Sequence, residues 1–294
     1  MPFAVNIAPN GLSLGHIPAV HGGGERQRGF VAGWSERSSR SNLRFLQSIQ
    51  LDRLGPSWGA TLTVGGDVPC FHAWAKMRRR FLDWLGVRYQ PVATYWLMEF
   101  QRRGAPHLHV WCIVNPARPD HANLLRVLSQ WLENAKETGV LERGQHIAPI
   151  DPRIAWARYL AKHMARGRRH YQRDALPDGW KVTGRVWGKS GDWPVSADRF
   201  DVEDAAAFRL RRALRRYVGK RHAAAGARVC EASQSYVRGA SLWLSDRAAR
   251  RLLAWAVGQG ETVSDVGEVV AGADVGRVGV WLGGLLVPRG RYAR

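Results

Sequence analysis

Two histidines separated by one residue, His107 and His109, are the first side chains whose type and spacing could do chemistry. They lie in residues 95–114, where two apolar, aromatic-rich runs flank a short polar turn, and this pattern predicts a β-hairpin. Because side chains alternate between the two faces of a strand, both imidazoles project to one side. If the turn pairs odd positions with odd positions, Glu99 lies there too, and the three side chains suit a divalent metal ion with open coordination positions.

Histidines at this spacing are weak evidence on their own, because the chain contains ten histidines. Two core histidines that only satisfy hydrogen bonds would give the same pattern. The assignment of Glu99 also depends on the strand register, and a slip in the face assignment would put Gln101 in its place.

A tyrosine is the second candidate for chemistry. Residues 157–166 have a helical pattern in which Tyr159 and Lys162 are three positions apart and share one face. The helix opens after Asp151 and Pro152, with the proline near its first turn. A tyrosine hydroxyl can act as a nucleophile and form an ester intermediate. A solvated lysine with no role in the chemistry would also explain Lys162.

Three segments in this order resemble the HUH endonucleases, specifically the rolling-circle replication initiators of plasmids and single-stranded DNA phages. Thr61-Leu62-Thr63 is similar to the first motif of that family, residues 99–109 (Glu-x-Gln-x-x-Gly-x-Pro-His-Leu-His) to the metal motif, and Tyr159-x-x-Lys162 to the nucleophile motif. The resemblance covers about residues 35–190. Residues 184–188 (Gly-Arg-Val-Trp-Gly) also resemble a segment that follows the nucleophile helix in some initiators.

The resemblance implies a metal-dependent DNA nickase and strand transferase. Tyr159 would attack the scissile phosphorus, which leaves the 5′ phosphate on the tyrosine and frees a 3′ hydroxyl. His107, His109 and Glu99 would hold Mg²⁺ or Mn²⁺, and Lys162 would stabilise charge on the phenolate or the phosphate. The implied partners are single-stranded or nicked origin DNA, a host helicase and a host DNA polymerase.

The tyrosine motif departs from that of some relatives, which carry two tyrosines one helical turn apart. Here Ala155 and His163 stand at those neighbouring positions, so the motif contains one tyrosine. The way a round of replication ends therefore stays open. A second subunit of a homo-oligomer, water, or the more distant Tyr171 could complete it.

The charge of the chain favours a polyanionic partner. The 294 residues carry a net charge of +20, and the pI is about 11.1. Residues 153–173 contain seven basic side chains and no acidic one, so a phosphate backbone is expected to pass there. The predicted DNA-binding residues are Arg102, Arg103, Arg158, Arg166, Arg168 and Arg169.

Cysteine usage and hydropathy favour a cytoplasmic protein, and the family resemblance implies a bacterial host cell. Cys70, Cys112 and Cys230 are far apart and signal neither a zinc site nor a disulfide framework. No run approaches the ~18 apolar residues of a membrane span, and the amino terminus lacks the pattern of a secretion signal. We therefore expect no membrane association.

The order of the predicted elements is β-α-β-β-α-β, the split βαβ pattern. It predicts an α+β fold with a four- to five-stranded antiparallel sheet, ferredoxin-like or RRM-like, and helices on one face. The hairpin is expected to supply the two central strands, and the tyrosine helix to pack across the histidine face. We predict three segments: a flexible arm over 1–33, the endonuclease domain over 34–195, and a basic, mostly helical extension over 196–294.

Two other functions remain open. A single-tyrosine transposase or a relaxase would share the metal and tyrosine chemistry, although relaxases usually place the tyrosine before the histidines. A non-catalytic single-stranded nucleic-acid-binding protein would use the same open sheet and basic helices. A phosphate-binding loop at Gly184–Ser190 is disfavoured, because the spacing is one residue short and no clear strand precedes it.

Overall fold

The structure is a computed structural model that describes residues 3–16, 31, 33–118, 123–161, 176–224 and 241–258. Its strands are β1 (Phe3–Ala8), β2 (Gly11–His16), β3 (Ser57–Thr63), β4 (Ala93–Phe100), β5 (Pro106–Ile113), β6 (His146–Pro149), β7 (Trp187–Gly191), β8 (Asp198–Val202) and β9 (Ser241–Leu242). Its helices are α1 (Glu36–Ser48), α2 (Phe71–Tyr89), α3 (Leu124–Ala135), α4 (Arg153–Leu160), α5 (Asp204–Ala224) and α6 (Asp246–Ala256).

The described residues fall into two compact units. Residues 8–10 and 31–198 form the first unit, and residues 3–7, 11–16 and 199–258 form the second. The predicted metal-binding residues and Tyr159 all belong to the first unit.

The first unit is built on an antiparallel five-stranded sheet in the order β6-β3-β5-β4-β7. The connections β3-α2-β4-β5-α3-β6 follow the split βαβ pattern, so the predicted α+β class and antiparallel sheet are confirmed. The prediction that the hairpin supplies the two central strands is wrong. Strands β3 and β5 are central in the four-stranded core, and β4 is internal only because β7 pairs along its outer edge.

The two crossover helices, α2 and α3, pack on one face of this sheet. Trp74 of α2 donates its indole N–H to Met98 Sδ (2.9 Å), and Trp131 of α3 donates to the Thr63 carbonyl (3.0 Å). The two indole rings meet edge to face with centroids 6.1 Å apart, and both side chains are fully buried. Tryptophan buries a large apolar area and leaves one N–H to satisfy, and here both N–H groups find an acceptor.

The other face carries α1 and α4. Tyr95 of β4 donates its hydroxyl to Asn42 Oδ1 (2.6 Å), and Asn42 Nδ2 donates to the carbonyl of Leu160 at the end of α4 (3.3 Å). Asn42 is therefore a buried link between the sheet, α1 and α4. The packing of the tyrosine helix across the histidine face, which we predicted, is confirmed by the contact between Tyr159 and His109.

The second unit contains a four-stranded sheet in the order β8-β1-β2-β9, and α5 and α6 share its apolar core. Residues 3–16, which we predicted to lie in a flexible arm, form strands β1 and β2. Alternating apolar side chains explain this correction, because Val5 and Ile7 of β1 and Leu12 of β2 are buried in the core.

In the part of residues 196–294 that the structure describes, α5 and α6 accompany strands β8 and β9. Arg212, Arg215 and Arg216 are exposed on α5, whereas Leu210 and Leu214 are buried. Among the helices that the structure describes, none combines the length and the apolar character needed to cross a membrane.

Candidate active site

The hairpin register brings Glu99 and the two histidines together. Glu99 of β4 pairs directly with His107 of β5, and Leu97 pairs with His109. The odd-to-odd pairing that we predicted is therefore confirmed, and Glu99 lies on the histidine face. Potential ligand atoms of Glu99, His107 and His109 all lie within 4.8 Å of one another.

Burial differs among these three side chains. His109 is completely buried and Glu99 is 2% exposed, whereas His107 is partly exposed. His109 Nε2 lies 3.0 Å from Glu99 Oε1. A buried carboxylate needs a partner, and His109 provides one for Glu99. His107 is the most exposed of the three side chains.

Thr61 contacts the second nitrogen of His109. Thr61 of β3 pairs directly with His109 in the sheet, and its Oγ1 lies 3.0 Å from His109 Nδ1. A hydroxyl can accept an N–H bond, so this contact can hold the imidazole with Nδ1 protonated and Nε2 free for a metal ion. Thr61 belongs to the first of the three motifs that carried the family resemblance.

Tyr159 lies over the same histidine. Its hydroxyl is 3.4 Å from His109 Nε2, and the two rings meet edge to face with centroids 5.1 Å apart. Helix α4 runs from Arg153 to Leu160, so Tyr159 lies in its last turn. The structure therefore brings the predicted nucleophile and the predicted metal ligands into one site.

A glutamine and an arginine near the hairpin turn form a set of contacts around His107 that the sequence did not reveal. Arg103 donates to Gln101 Oε1 (3.0 Å) and to the backbone carbonyls of Val64 (2.6 Å) and Gly65. Because a guanidinium group has only donors, Gln101 turns its oxygen to Arg103 and its Nε2 to His107 Nδ1, at 3.4 Å. Arg103 thus ties the turn to the end of β3.

The predicted DNA-binding arginines have different environments. Arg102 and Arg103 are exposed and Arg158 is partly exposed. The guanidinium of Arg103 is also bonded to protein carbonyls and would exchange these bonds to reach DNA. The remaining predicted residues, together with Tyr171, lie outside the described residues: Lys162, Arg166, Arg168 and Arg169.

The Gly-Arg-Val-Trp-Gly segment (residues 184–188) leads into strand β7, which pairs with β4 and forms one edge of the five-stranded sheet. Gly188 pairs with Trp96, and a Cβ at position 188 would lie 2.7 Å from the Trp96 indole nitrogen. Trp187 donates its indole N–H to Ser38 Oγ (3.1 Å), and the Lys189 ammonium lies 4.6 Å from the centroid of the Phe45 ring. These contacts give the segment a structural role in the sheet.

Comparison with known proteins gives a family match over the region that contains the site. Residues 57–173 match the family model described as Replication-associated protein ORF2/G2P. This region runs from β3 to beyond Tyr159 and includes Glu99, His107 and His109.

Three relatives match over longer parts of the chain. Two predicted replication proteins of Xylella fastidiosa, from strains 9a5c and Temecula1, are 44% and 41% identical over 182 residues. Each match covers 60% of this chain. It covers 63% of the strain 9a5c protein and 68% of the strain Temecula1 protein, so the chain spans less than two thirds of the strain 9a5c protein. Replication-associated protein G2P of Pseudomonas phage Pf3 is 34% identical over 273 residues, 85% of this chain and 96% of that protein. No solved structure gives a significant match.

Proposed function

The chain belongs to the ORF2/G2P family of replication-associated proteins, and we propose that it is a site-specific single-strand DNA endonuclease and strand transferase that initiates rolling-circle replication. The observation that carries this proposal is the position of the Tyr159 hydroxyl, 3.4 Å from His109 Nε2, in the cluster of Glu99, His107 and His109. A hydroxyl nucleophile beside a candidate metal site fits phosphoryl transfer.

The donor set fits a divalent metal ion. Two imidazoles and one carboxylate leave coordination positions open, and the ligand atoms are close enough to converge on one ion. When bound, Mg²⁺ or Mn²⁺ would withdraw charge from the non-bridging oxygens of the scissile phosphate. Thr61 Oγ1 would orient His109 through Nδ1.

The chemistry assigned to the chain is a transesterification by Tyr159. The Tyr159 phenol gives up its proton and its oxygen forms a bond to the scissile phosphorus, and the bond from phosphorus to the 3′ oxygen breaks. The 5′ phosphate remains on Tyr159 as a phosphodiester, and the leaving oxygen takes up a proton to become a 3′ hydroxyl. Because an ester replaces an ester, a later attack by a 3′ hydroxyl can reverse the step and join strands.

The partners follow from these products. Single-stranded or nicked origin DNA is the substrate, the 3′ hydroxyl primes a host DNA polymerase, and a host helicase separates the strands in the bacterial cytoplasm. Lys162 would stabilise charge near Tyr159, and Arg102, Arg158, Arg166, Arg168 and Arg169 would hold the phosphate backbone. A second subunit of a homo-oligomer, water or Tyr171 would end the round.

A covalent-adduct assay tests the proposal. We expect incubation with a cognate origin oligonucleotide and Mn²⁺ to give a protein–DNA adduct that survives SDS, with the 5′ phosphate on Tyr159 by peptide mapping. Tyr159→Phe keeps the ring packing on His109 and removes only the nucleophilic oxygen, so it should bind DNA without forming the adduct. His107→Ala should suppress the adduct much more than DNA binding.

The control is Tyr171→Phe, which should form the adduct normally. An adduct on Tyr171 would keep the class of enzyme and overturn the assignment of the nucleophile. If wild-type protein formed no adduct with any metal and any candidate origin, a non-catalytic single-stranded DNA-binding protein would be favoured. Undiminished cleavage in EDTA would remove the metal from the mechanism.

A further inference from the structure

A glycine in the middle of β3 leaves room for an indole ring above the strand. A Cβ built on Gly59 would lie 2.8 Å from Trp156 Cζ2 and 2.9 Å from Trp156 Cε2, closer than real Cβ atoms approach other atoms. It would also lie 3.1 Å from Ile150 Cδ1. Glycine in a strand interior weakens the strand and often marks a close approach of another group. At position 59 the approaching group is Trp156.

The indole of Trp156 in turn supports the nucleophile. Trp156 and Tyr159 lie three positions apart on α4, and their rings stack with centroids 5.3 Å apart and an interplanar angle of 21°. The Tyr159 ring also meets His109 edge to face, with centroids 5.1 Å apart. The phenol therefore contacts both an indole and an imidazole, and these two rings lie 6.3 Å from each other.

The contacts of Trp156 are those of a packing group. Its Nε1 is buried and has no hydrogen-bond partner among the residues that the structure describes. The ring also lies 6.3 Å from the His109 ring, at an interplanar angle of 77°. The described contacts of the indole include Gly59, Tyr159 and His109, and they fix the position of its aromatic plane.

We propose that Gly59 and Trp156 form a positioning pair that sets the direction of the Tyr159 hydroxyl toward His109 Nε2. The inference rests on the proposed function, because it concerns the nucleophile of that reaction. Neither residue touches the phosphate; Trp156 acts through Tyr159, and Gly59 acts through Trp156. A misplacement of about 1 Å can lower a rate by about 10²-fold, so a stacked support can matter for the rate and not for DNA affinity.

The test measures the single-turnover rate of adduct formation at saturating oligonucleotide, together with the Kd for the same oligonucleotide. We expect Trp156→Ala and Gly59→Ala each to lower the rate by about 10- to 100-fold, with the Kd within about twofold of wild type. Trp156→Phe should restore most of the rate, because it keeps a stacking ring. Gly66→Ala is the matched control, since a Cβ there meets nothing within 4 Å.

The double variant separates a positioning pair from two unrelated defects. Gly59→Ala in the Trp156→Ala background should have almost no further effect, because the indole that the new methyl group would displace is gone. Independent, multiplicative effects would overturn the pairing. The pairing would also be wrong if Gly59→Ala and Trp156→Phe each lost DNA affinity by the same factor as they lost rate.

The outcome is distinguishable from a failure of the proposed function. If wild-type protein forms no adduct, the proposed function fails. If wild-type protein forms the adduct on Tyr159 and Trp156→Ala forms it at the same rate, the proposed function stands and the positioning pair is wrong. If Trp156→Ala does not fold, Trp156→Phe and Gly59→Ala still decide the question through their ratio of rate to Kd.

Discussion

Thr61→Val isolates one hydrogen bond at the metal cluster. The two side chains have nearly the same shape, and the change replaces only the hydroxyl that lies 3.0 Å from His109 Nδ1. His109 is completely buried, so water has little access to replace the lost partner. The variant should therefore keep the sheet and lose the group that orients one imidazole.

The expected magnitude follows from the role of an orienting partner. Loss of such a partner typically lowers metal affinity by about 10- to 100-fold, which corresponds to about 1.4–2.7 kcal/mol. The cost of leaving a buried polar group without its partner, about 1–3 kcal/mol, has the same size. We expect the Kd for Mn²⁺ to rise within this range in Thr61→Val, and to recover in Thr61→Ser.

Calorimetric titration with Mn²⁺ at fixed pH measures the effect directly, without DNA and without turnover. Thr63→Val is the matched control, because Thr63 lies on the same strand and face but directs its hydroxyl to the Val64 carbonyl (3.4 Å). Its metal affinity should change by less than about threefold. Equal Mn²⁺ affinities of Thr61→Val and wild type, or an equal loss in Thr63→Val, would refute the orienting role.

Two further predictions concern the hairpin turn and the core. Arg103→Ala removes bonds to Gln101 and to two carbonyls, so it should lower the free energy of unfolding by about 0.5–1.5 kcal/mol, while Arg102→Ala changes stability by less than about 0.5 kcal/mol. Weaker DNA binding by Arg103→Ala with unchanged stability would instead assign Arg103 to DNA. Burial raises the pKa of the fully buried Tyr95 phenol well above its usual range. As the pH rises, the unfolded chain therefore loses this proton before the folded protein does. The free energy of unfolding should then fall above about pH 10, by up to about 1.4 kcal/mol per pH unit. Chemical unfolding from pH 9 to 11 should show a shallower decline in Tyr95→Phe, and an identical decline would contradict this cause.

The site core could be predicted from sequence because it depends on local rules. The period of two along a strand puts His107 and His109 on one face, and the length of the turn decides whether Glu99 joins them. Helical spacing likewise places Trp156 and Tyr159 on one side of α4. The observed register, Glu99 opposite His107, follows from these local patterns.

Features that depend on distant pairing could not be predicted in the same way. From the sequence, Gly59 is only a residue that disfavours a strand. Its role depends on Trp156, which belongs to α4 and packs against it. Arg103 reads as one more basic residue in a basic chain, yet the carbonyls of Val64 and Gly65 take up its donors. Such roles require knowledge of which segments meet.

The error at the amino terminus has a different cause, since the signal was present. Asn10-Gly11 is a strong hairpin-turn dipeptide, and apolar residues alternate on either side of it. The nearby glycines at 22–24 and the prolines outweighed this pattern in the prediction of an arm. Composition over a long window thus concealed a short periodic segment.

The late position of β7 in the chain has a consequence for synthesis and for truncated forms. Its pairs with β4 join residues 90 to 98 positions apart, from Leu97 with Trp187 (187 − 97) to Ala93 with Gly191 (191 − 93). Until the ribosome has released residue 191, β4 has an unpaired backbone edge, and unpaired edges promote aggregation. A fragment that stops at residue 173, where the family match ends, would keep Glu99, His107, His109 and Tyr159 and still lack β7. Such a fragment would hold the chemical groups of the site on a sheet prone to pair with another copy.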